Sequence, residues 1–395
     1  MTSGQIYQPE IRRGLRNRAV RDLAYSSQSP ESFNLKRFAR EKNLQAVWNY
    51  LKATGGKAPG TDNIRFDDVT GSQLKVMLKL VKESIAARTY CPEPVRRVEI
   101  QKRCGGIREL SIPCVKDRLI AKAFQFATDS YWRSVLPNLG QDVIDIFTRL
   151  ELDVRRSRKY VLALDDIRDC FPRTRVDLVL EDQMSHFEGT KAEFLARQIT
   201  LGHEGQDLTG GMGQGSPYSP VAVESFLHHR FDLRMASQTQ RMLLYRYVDN
   251  LTFLVGSRDE GDQLMANARC LLGEIGHCLK GTEFIDLRDQ SHTTSLLGMI
   301  PKWKDGSICL EIGEDAFTRF SDTLTETVAK GADLQSVVLG WIQAYAPGIT
   351  KRVKVEVIER LRRIAFDIGL TQFRTDDHLT SIKLTRQRWT NRRSR

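Results

Sequence analysis

The sequence predicts an α+β fold, in which a small antiparallel sheet has helices packed on one side. The strongest strand signals lie in the middle of the chain, at residues 161–164 and 243–255. Apolar residues at helical spacing dominate residues 74–85, 115–126 and 176–202. Asp165 and Asp166 follow the first signal, and Asp249 divides the second into two predicted strands. The candidate chemistry therefore lies at strand ends.

The composition fits a globular protein that binds a polyanion. The chain has 395 residues, of which 41% are hydrophobic, and this suffices for about two to three domains with sizeable cores. Lys and Arg number 60 against 49 Asp and Glu, which gives a formal net charge of +11. This charge indicates nucleic acid as the first partner and an acidic membrane surface as the second.

The sequence gives no sign of a membrane span or a leader. No run of about 18 apolar residues is present, and residues 1–13 lack the apolar core of a signal peptide. The seven cysteines are scattered without a C-x-x-C pair, so we expect reduced thiols. We therefore expect a cytoplasmic protein without a membrane partner.

The first third of the chain combines basic and helical segments. Residues 1–44 are interpreted as a basic arm, because five arginines lie within residues 11–21; a solvated surface stretch is equally compatible. Residues 55–62 are rich in Gly and Pro and predict a loop before the helix at 74–85. Residues 95–112 alternate around two glycines, which predicts a basic hairpin. A long helix should follow, with these residues inward: Val115, Leu119, Ala123 and Phe126.

Two aspartates form the candidate chemical centre. Asp166 ends the first predicted strand, and Asp249 lies at the turn of a predicted hairpin. A fold that pairs these strands brings both carboxylates together, where their repulsion favours a divalent cation such as Mg²⁺. Two such ions about 4 Å apart stabilise the attacking and leaving oxygens of a phosphoryl transfer. Turn-forming aspartates are the alternative interpretation.

Several short motifs resemble those of reverse transcriptases. Asp-Ile-Arg-Asp-Cys-Phe at residues 166–171, the Gly-Gln-Gly-Ser-Pro segment at 213–217 and Tyr-Val-Asp-Asn at 247–250 resemble, in order, motifs A, B and C. The segments at residues 57–62 and 97–118 resemble the opening and fingers of the bacterial branch, which includes group II intron and retron enzymes. The resemblance covers roughly residues 45–300.

The resemblance implies roles for the residues of motif A. Asp166 and Asp249 would be the catalytic, metal-binding carboxylates, and the backbone carbonyl of Ile167 would complete a metal site. Asp165 is the competing register, but it would place Cys170 where the family has an aromatic residue. Phe171 would lie beneath the sugar of the nucleotide and exclude a 2′-hydroxyl. Core packing is the alternative role of Phe171.

Other implied roles concern the nucleotide. Gln214 would line the nucleotide pocket, although Gly213 stands where the family usually has proline. Lys102 and Arg108 would hold the triphosphate, and solvated hairpin charges are the alternative.

Motif C departs from the family pattern. Tyr247 and Val248 precede Asp249, but Asn250 replaces the usual second aspartate, which is less directly engaged with metal. The lysine that would donate a proton has two candidate positions, Lys280 and Arg288.

The implied architecture is a right-hand polymerase. Residues 45–160 would form the fingers, 161–300 a palm with a small antiparallel sheet and motifs A, B and C, and 301–395 a helical thumb with a basic tail. The expected activity is RNA-directed DNA synthesis from dNTPs with two Mg²⁺ ions, or Mn²⁺ as the alternative ion. The branch implies a stand-alone enzyme of antiviral defence that copies a structured noncoding RNA.

Two other functions stay open: a template-independent or protein-primed polymerase of abortive-infection type, and a non-catalytic RNA-binding scaffold. A homo-oligomer or a companion protein also stays open. The histidines at 228 and 229 have no third ligand at metal spacing in the sequence, so we expect them to be structural.

Overall fold

A computed structural model describes most of the chain and confirms the mixture of helices and small antiparallel sheets. The described residues are 23, 28–101, 106–239, 241–329, 334–349, 353–369, 382, 383 and 387. Most of the predicted basic arm and basic tail lies outside these residues. Within them, no helix combines the length and apolar character that a membrane crossing needs, and the six cysteines carry free thiols.

The first part of the fold is helical with one hairpin. Its elements are α1 (Leu35–Phe38), α2 (Glu41–Thr54), α3 (Gly71–Ala86), β1 (Arg96–Gln101), β2 (Ile107–Ile112), α4 (Val115–Val135) and α5 (Val143–Ser157). The pairing of β1 with β2 confirms the predicted hairpin. All four residues expected inward on α4 are buried, which confirms the helical period. A capping box between Asp142 and Asp145 begins α5.

The middle part of the chain forms a four-stranded sheet with order β4-β5-β3-β6. Its elements are β3 (Val161–Asp166), α6 (Cys170–Arg173), α7 (Val176–Phe187), α8 (Glu193–Leu201), α9 (Ser219–Leu227), a π-helical turn (His228–Asp232), α10 (Leu233–Gln238), β4 (Leu244–Tyr247), β5 (Asn250–Val255), α11 (Arg258–Glu274) and β6 (Glu283–Asp286). Every pairing in this sheet is antiparallel, as predicted.

Both faces of this sheet are buried, so the expectation of helices on one side is wrong. Ala163 and Phe253 join the main core with helices such as α9 and α11, whereas Leu162, Leu164 and Leu254 join a second cluster with α5. The cause is visible in β3, whose apolar residues are consecutive rather than alternating. A strand of this kind needs cover on both faces.

The last part of the fold is mainly helical, with one hairpin that the sequence did not reveal. The hairpin pairs β7 (Ile300–Lys304) with β8 (Ser307–Glu311). It is followed by α12 (Glu314–Ala329), α13 (Leu334–Tyr345) and α14 (Lys354–Asp367). These helices enclose a separate core that includes Phe320, Ile342 and Leu361.

Candidate active site

The sheet brings the two predicted carboxylates to one end. Asp166 is the last residue of β3 and lies opposite Asn250, the first residue of β5. The amide of Ile167 donates to the carbonyl of Asp249 at 2.8 Å. The backbone pairing of β3 with the β4–β5 turn therefore fixes the separation of Asp166 and Asp249.

Asp165 has a different environment from Asp166, because successive residues of a strand point to opposite faces. The Asp165 side chain is fully buried, and its Oδ1 accepts from the amides of Asp166, Lys280 and Gly281 at 2.8, 3.0 and 2.9 Å. Its Oδ2 accepts from the Thr282 hydroxyl at 2.9 Å. A carboxylate with this many donors is structural, which favours Asp166 as the residue that faces the site.

Lys280 lies at the site and Arg288 does not. The Lys280 Nζ is 2.8 Å from Asp166 Oδ2, and 35% of the Asp166 side chain is exposed. Arg288 instead forms a bidentate pair with Asp286 on the edge strand β6. The structure thus places Lys280, of the two sequence candidates, beside the carboxylates.

The electrostatics of Asp249 reflect crowding of like charges. Burial raises the pKa of the Asp249 carboxyl, and the neighbouring charge of Asp166 raises it further, while Lys280 and Arg108 act in the opposite direction. Two oxygen ligands that repel each other suit a hard divalent cation such as Mg²⁺, which relieves the repulsion by binding both. The donor set at this strand end therefore fits the expected ion.

A buried ionic network supports the turn that carries Asp249. Arg246 on β4 is fully buried and forms ion pairs of 2.6 Å with Glu224 of α9 and with Asp232. Its Nη1 also donates to the carbonyl of Val248, which has a positive φ of 59°. Sequence reasoning missed this network, although a charged residue between Tyr245 and Tyr247 of an otherwise apolar strand was its signal.

Phe171 is both a core residue and a neighbour of motif C. It is 7% exposed and belongs to the main hydrophobic cluster. It also lines a small cavity of about 40 Å³ together with Tyr247, Val248 and Glu224. Core packing and contact with the motif C hairpin therefore coexist at this residue.

The loop that carries Gln214 is held against the β1–β2 hairpin. The Ser111 amide donates to the Gln214 carbonyl at 2.8 Å. A Cβ on Gly215 would lie 2.0 Å from the Ser111 carbonyl oxygen, so only glycine permits this approach. The hydrogen bond and the close contact fix this loop against the β1–β2 hairpin.

The expected triphosphate ligands are placed only in part. Arg108 is an exposed residue of β2, close enough to influence Asp249. Lys102 lies outside the described residues. Asp117 and Arg118 are buried, and Arg118 donates to the carbonyls of Gly56 and Ala58 at 2.9 Å. Arg118 therefore holds the 55–62 loop, whereas Asp117 accepts from the Tyr90 hydroxyl and the Glu93 amide at 3.0 Å each.

A cleft of about 970 Å³ runs from Asp166, at the end of β3, to the C-terminal helices. Asp166, Asn250 and Lys280 line one side of it, and Arg319 and Tyr345 line the other. The cleft is open to solvent at Asp166, and its walls mix polar and aromatic side chains. It can accommodate an extended ligand beside Asp166.

The expectation that His228 and His229 are structural stays a prediction, and the structure adds a group that the sequence spacing did not show. His229 has metal-capable neighbours in Asp182 and His186, which lie far away in sequence on α7. Sequence spacing did not show this group, because the contact between α7 and the π-helical turn is tertiary. The spacing of Asp182 and His186, four residues apart on one helix, was the available signal.

Comparisons with known proteins show remote likenesses. No family model matches the chain. The protein YkfC of Escherichia coli (strain K12) is 29% identical over 245 residues, which are 53% of this chain and 62% of that protein. The chain thus matches less than two thirds of the length of this curated relative.

Solved telomerase structures are also similar to this chain. The apo telomerase of Candida tropicalis has a TM-score of 0.43 at 13% identity, with 81% of this chain and 70% of that one covered. The telomerase of Candida albicans, in complex with a fragment of telomeric RNA, has a TM-score of 0.40 at 13% identity and covers 80% and 65%. These TM-scores are low, so the function argued below rests on this chain's own residues.

Proposed function

We propose that the chain is an RNA-directed DNA polymerase of the reverse transcriptase family. The observation that carries the proposal is the meeting of Asp166 and Asp249 at one end of an antiparallel sheet, beside Lys280. Asp165, the competing residue, is occupied by hydrogen bonds on the opposite face. The ordered resemblance of motifs A, B and C supports the same assignment.

The proposed chemistry is phosphoryl transfer from a dNTP. Asp166 and Asp249 would hold Mg²⁺, with Mn²⁺ as the alternative ion, and the Ile167 carbonyl would add a ligand. When bound, two such ions neutralise charge on the attacking and leaving oxygens of an in-line displacement.

The chain's own residues then position the nucleotide. Arg108, with Lys102, would contact the triphosphate, and Gln214 would contact the nucleotide on the loop that Ser111 holds. Phe171 would lie beneath the sugar. Lys280 is the proposed proton donor to the leaving group, because its ammonium already lies at the carboxylates.

The proposed domains follow the order of the elements along the chain. The helices and hairpin before β3 would serve as fingers, the four-stranded sheet with α7, α9 and α11 as the palm, and the helices after β8 as the thumb. The cleft between the sheet end and α12 and α13 would receive the template and product strands. The net charge of +11 supports RNA as the template.

The proposed biological role is antiviral defence with a dedicated noncoding RNA, in the bacterial branch that the motifs resemble. This role follows from family analogy alone. Synthesis without a template, and RNA binding without catalysis, are the competing outcomes of the test.

The test is nucleotide incorporation by the purified full chain with its co-purifying RNA, followed by sequencing of the product. A product complementary to that RNA, lost in Asp166→Asn, is the expected result. Asp305→Asn is the matched control, because Asp305 is an exposed turn residue with a φ of 50° that asparagine adopts readily. A product unrelated to the RNA would indicate template-independent synthesis, and no product with retained RNA binding would indicate a scaffold.

A further inference from the structure

A second group of metal-capable side chains lies apart from the strand-end carboxylates. Asp182 and His186 come from consecutive turns of α7, and His229 comes from the π-helical turn after α9. One ligand atom from each residue can be chosen so that all three lie within 4.8 Å of one another. Helices that pack against each other normally do so through apolar side chains. Three polar side chains that converge between them therefore need an explanation.

His186 has a buried nitrogen without a partner. Its Nδ1 lies 2.5 Å from the hydroxyl of Tyr131, whereas its Nε2 is buried and has no hydrogen-bond partner. If Nδ1 carries the proton and donates to Tyr131, the lone pair of Nε2 stays available to a ligand. This arrangement is the one that a metal-binding histidine adopts, with its other nitrogen held by an oxygen acceptor.

Hydrogen bonds orient the Asp182 side chain in the same group. Its side chain is 2% exposed, its Oδ2 accepts from the Ser225 hydroxyl at 2.6 Å, and its Oδ1 lies 2.7 Å from His229 Nδ1. In metal centres, a carboxylate that binds the ion is commonly oriented by a hydrogen-bond donor behind it. Asp182 has this arrangement, because the Ser225 hydroxyl orients it and two imidazoles lie beside it. The π-helical turn places His229 here, and such turns are frequent at functional sites.

We propose that Asp182, His186 and His229 bind one divalent transition-metal ion of the Zn²⁺ class. Two imidazoles and one carboxylate suit Zn²⁺ and its neighbours in the first row, whereas Mg²⁺ prefers oxygen ligands only. With metal–ligand bonds of about 2.0–2.1 Å, neighbouring ligand atoms lie roughly 3.3 Å apart. The pair at 2.7 Å must therefore open slightly and the widest pair must close. Water would complete the coordination.

The ion would connect α7 to the helix that follows the Gln214 loop. Helix α9 begins at Ser219, directly after this loop, and runs into the turn that carries His229. Tyr218, at the end of the loop, donates its hydroxyl to Gln183, the neighbour of Asp182, at 2.7 Å. The metal is therefore structural, and it stabilises the position of the loop. The proposal does not depend on polymerase activity.

The test uses Co²⁺ as a spectroscopic probe in the tag-free, EDTA-treated full chain. The chain carries Asp166→Asn and Asp249→Asn, so that the strand-end carboxylates cannot account for the signal. We expect one Co²⁺ per chain, with visible d–d absorption bands. The spectrum should lack a thiolate charge-transfer band, because the expected ligands are imidazoles and a carboxylate. We expect His186→Gln and His229→Gln each to weaken binding by at least about tenfold. His203→Gln, outside the group, is the matched control and should bind as tightly as the parent.

Thermal unfolding provides a second readout. The change in melting temperature on adding Zn²⁺ is measured within each variant, so the variants need not be equally stable. Zn²⁺ should raise the melting temperature of the parent chain, and the rise should disappear in His229→Gln but persist in His203→Gln. Co²⁺ affinity that is unchanged in both His186→Gln and His229→Gln would overturn the proposal. So would the absence of any Zn²⁺-dependent change in melting temperature in the parent chain.

Discussion

Two acidic regions flank the motif C hairpin, and they balance their charge in opposite ways. At the buried side, Glu224 and Asp232 surround the guanidinium of Arg246, which is fully buried. At the open end of the sheet, Asp166 and Asp249 face each other with Lys280 at 2.8 Å, and 52% of the Lys280 side chain is exposed. The first region contains its own counterion, and the second relies on an exposed lysine.

This difference predicts which of the two regions carries structural charge and which carries functional charge. A buried carboxylate without a cation would destabilise the fold, so Arg246 is required for stability. The charge of Asp249 is already unfavourable in the folded chain, as its raised pKa shows. Such charge is retained when a ligand needs it. Removing charge should therefore have opposite effects on stability in the two regions.

The largest expected effect is on incorporation. Asp249→Asn should reduce the rate by about 10²–10³-fold or more, because one carboxylate can no longer hold the expected cation. The melting temperature should stay the same or rise, since a repelling charge is lost. Full activity at saturating Mg²⁺, measured by primer extension, would contradict the assignment.

The next effect is on stability. Arg246→Met should destabilise the fold by about 3–5 kcal/mol in urea titration, because it removes the guanidinium from the two buried carboxylates of Glu224 and Asp232. The double variant Arg246→Met/Glu224→Gln should recover part of this loss, since it removes one of those charges. A stability equal to that of the parent would show that the network does not support the hairpin.

The third prediction concerns Phe171, which contacts both the core and the motif C hairpin. It tests whether this residue has a structural role only or also a role in the nucleotide site. If its ring only packs the core, Phe171→Ala should cost about 3–5 kcal/mol with no change in sugar preference. If it also lies beneath the nucleotide sugar, the ratio of kcat/KM for dNTP over rNTP should fall as well. Parallel measurement of melting temperature and of this ratio distinguishes the two, and an unchanged ratio would remove Phe171 from the nucleotide site.

The smallest expected effect concerns Asn250. Its Nδ2 donates to Asp249 Oδ1 at 3.2 Å, and it lies opposite Asp166 in the sheet. Asn250→Asp would add a third carboxylate, so we expect folding to persist and incorporation to stay within about threefold of the parent or to rise. Loss of activity in Asn250→Asp but not in Asn250→Ala would contradict the interpretation of motif C.

The sequence by itself determined the parts of the fold that depend on local pattern. Apolar spacing located the long helix after the basic hairpin, and alternation located the hairpin that turns at Asp249. The choice of Asp166 over Asp165 came from the resemblance to reverse transcriptases, which places Phe171 at the family's aromatic position, and it stays a prediction. The helix and the hairpin depend on residues within a few turns or strands of one another, where periodicity and turn chemistry act directly.

Only the tertiary structure decided the features that join distant segments. It placed Lys280 rather than Arg288 beside Asp166, and it brought Asp182 and His186 to His229. It also showed that α5 covers the second face of the sheet. Local signals accompanied two of these features, namely the consecutive apolar residues of β3 and the four-residue spacing of Asp182 and His186. The partners had no local signature, because which side chains meet is set by how helices and strands pack after the chain has folded back on itself.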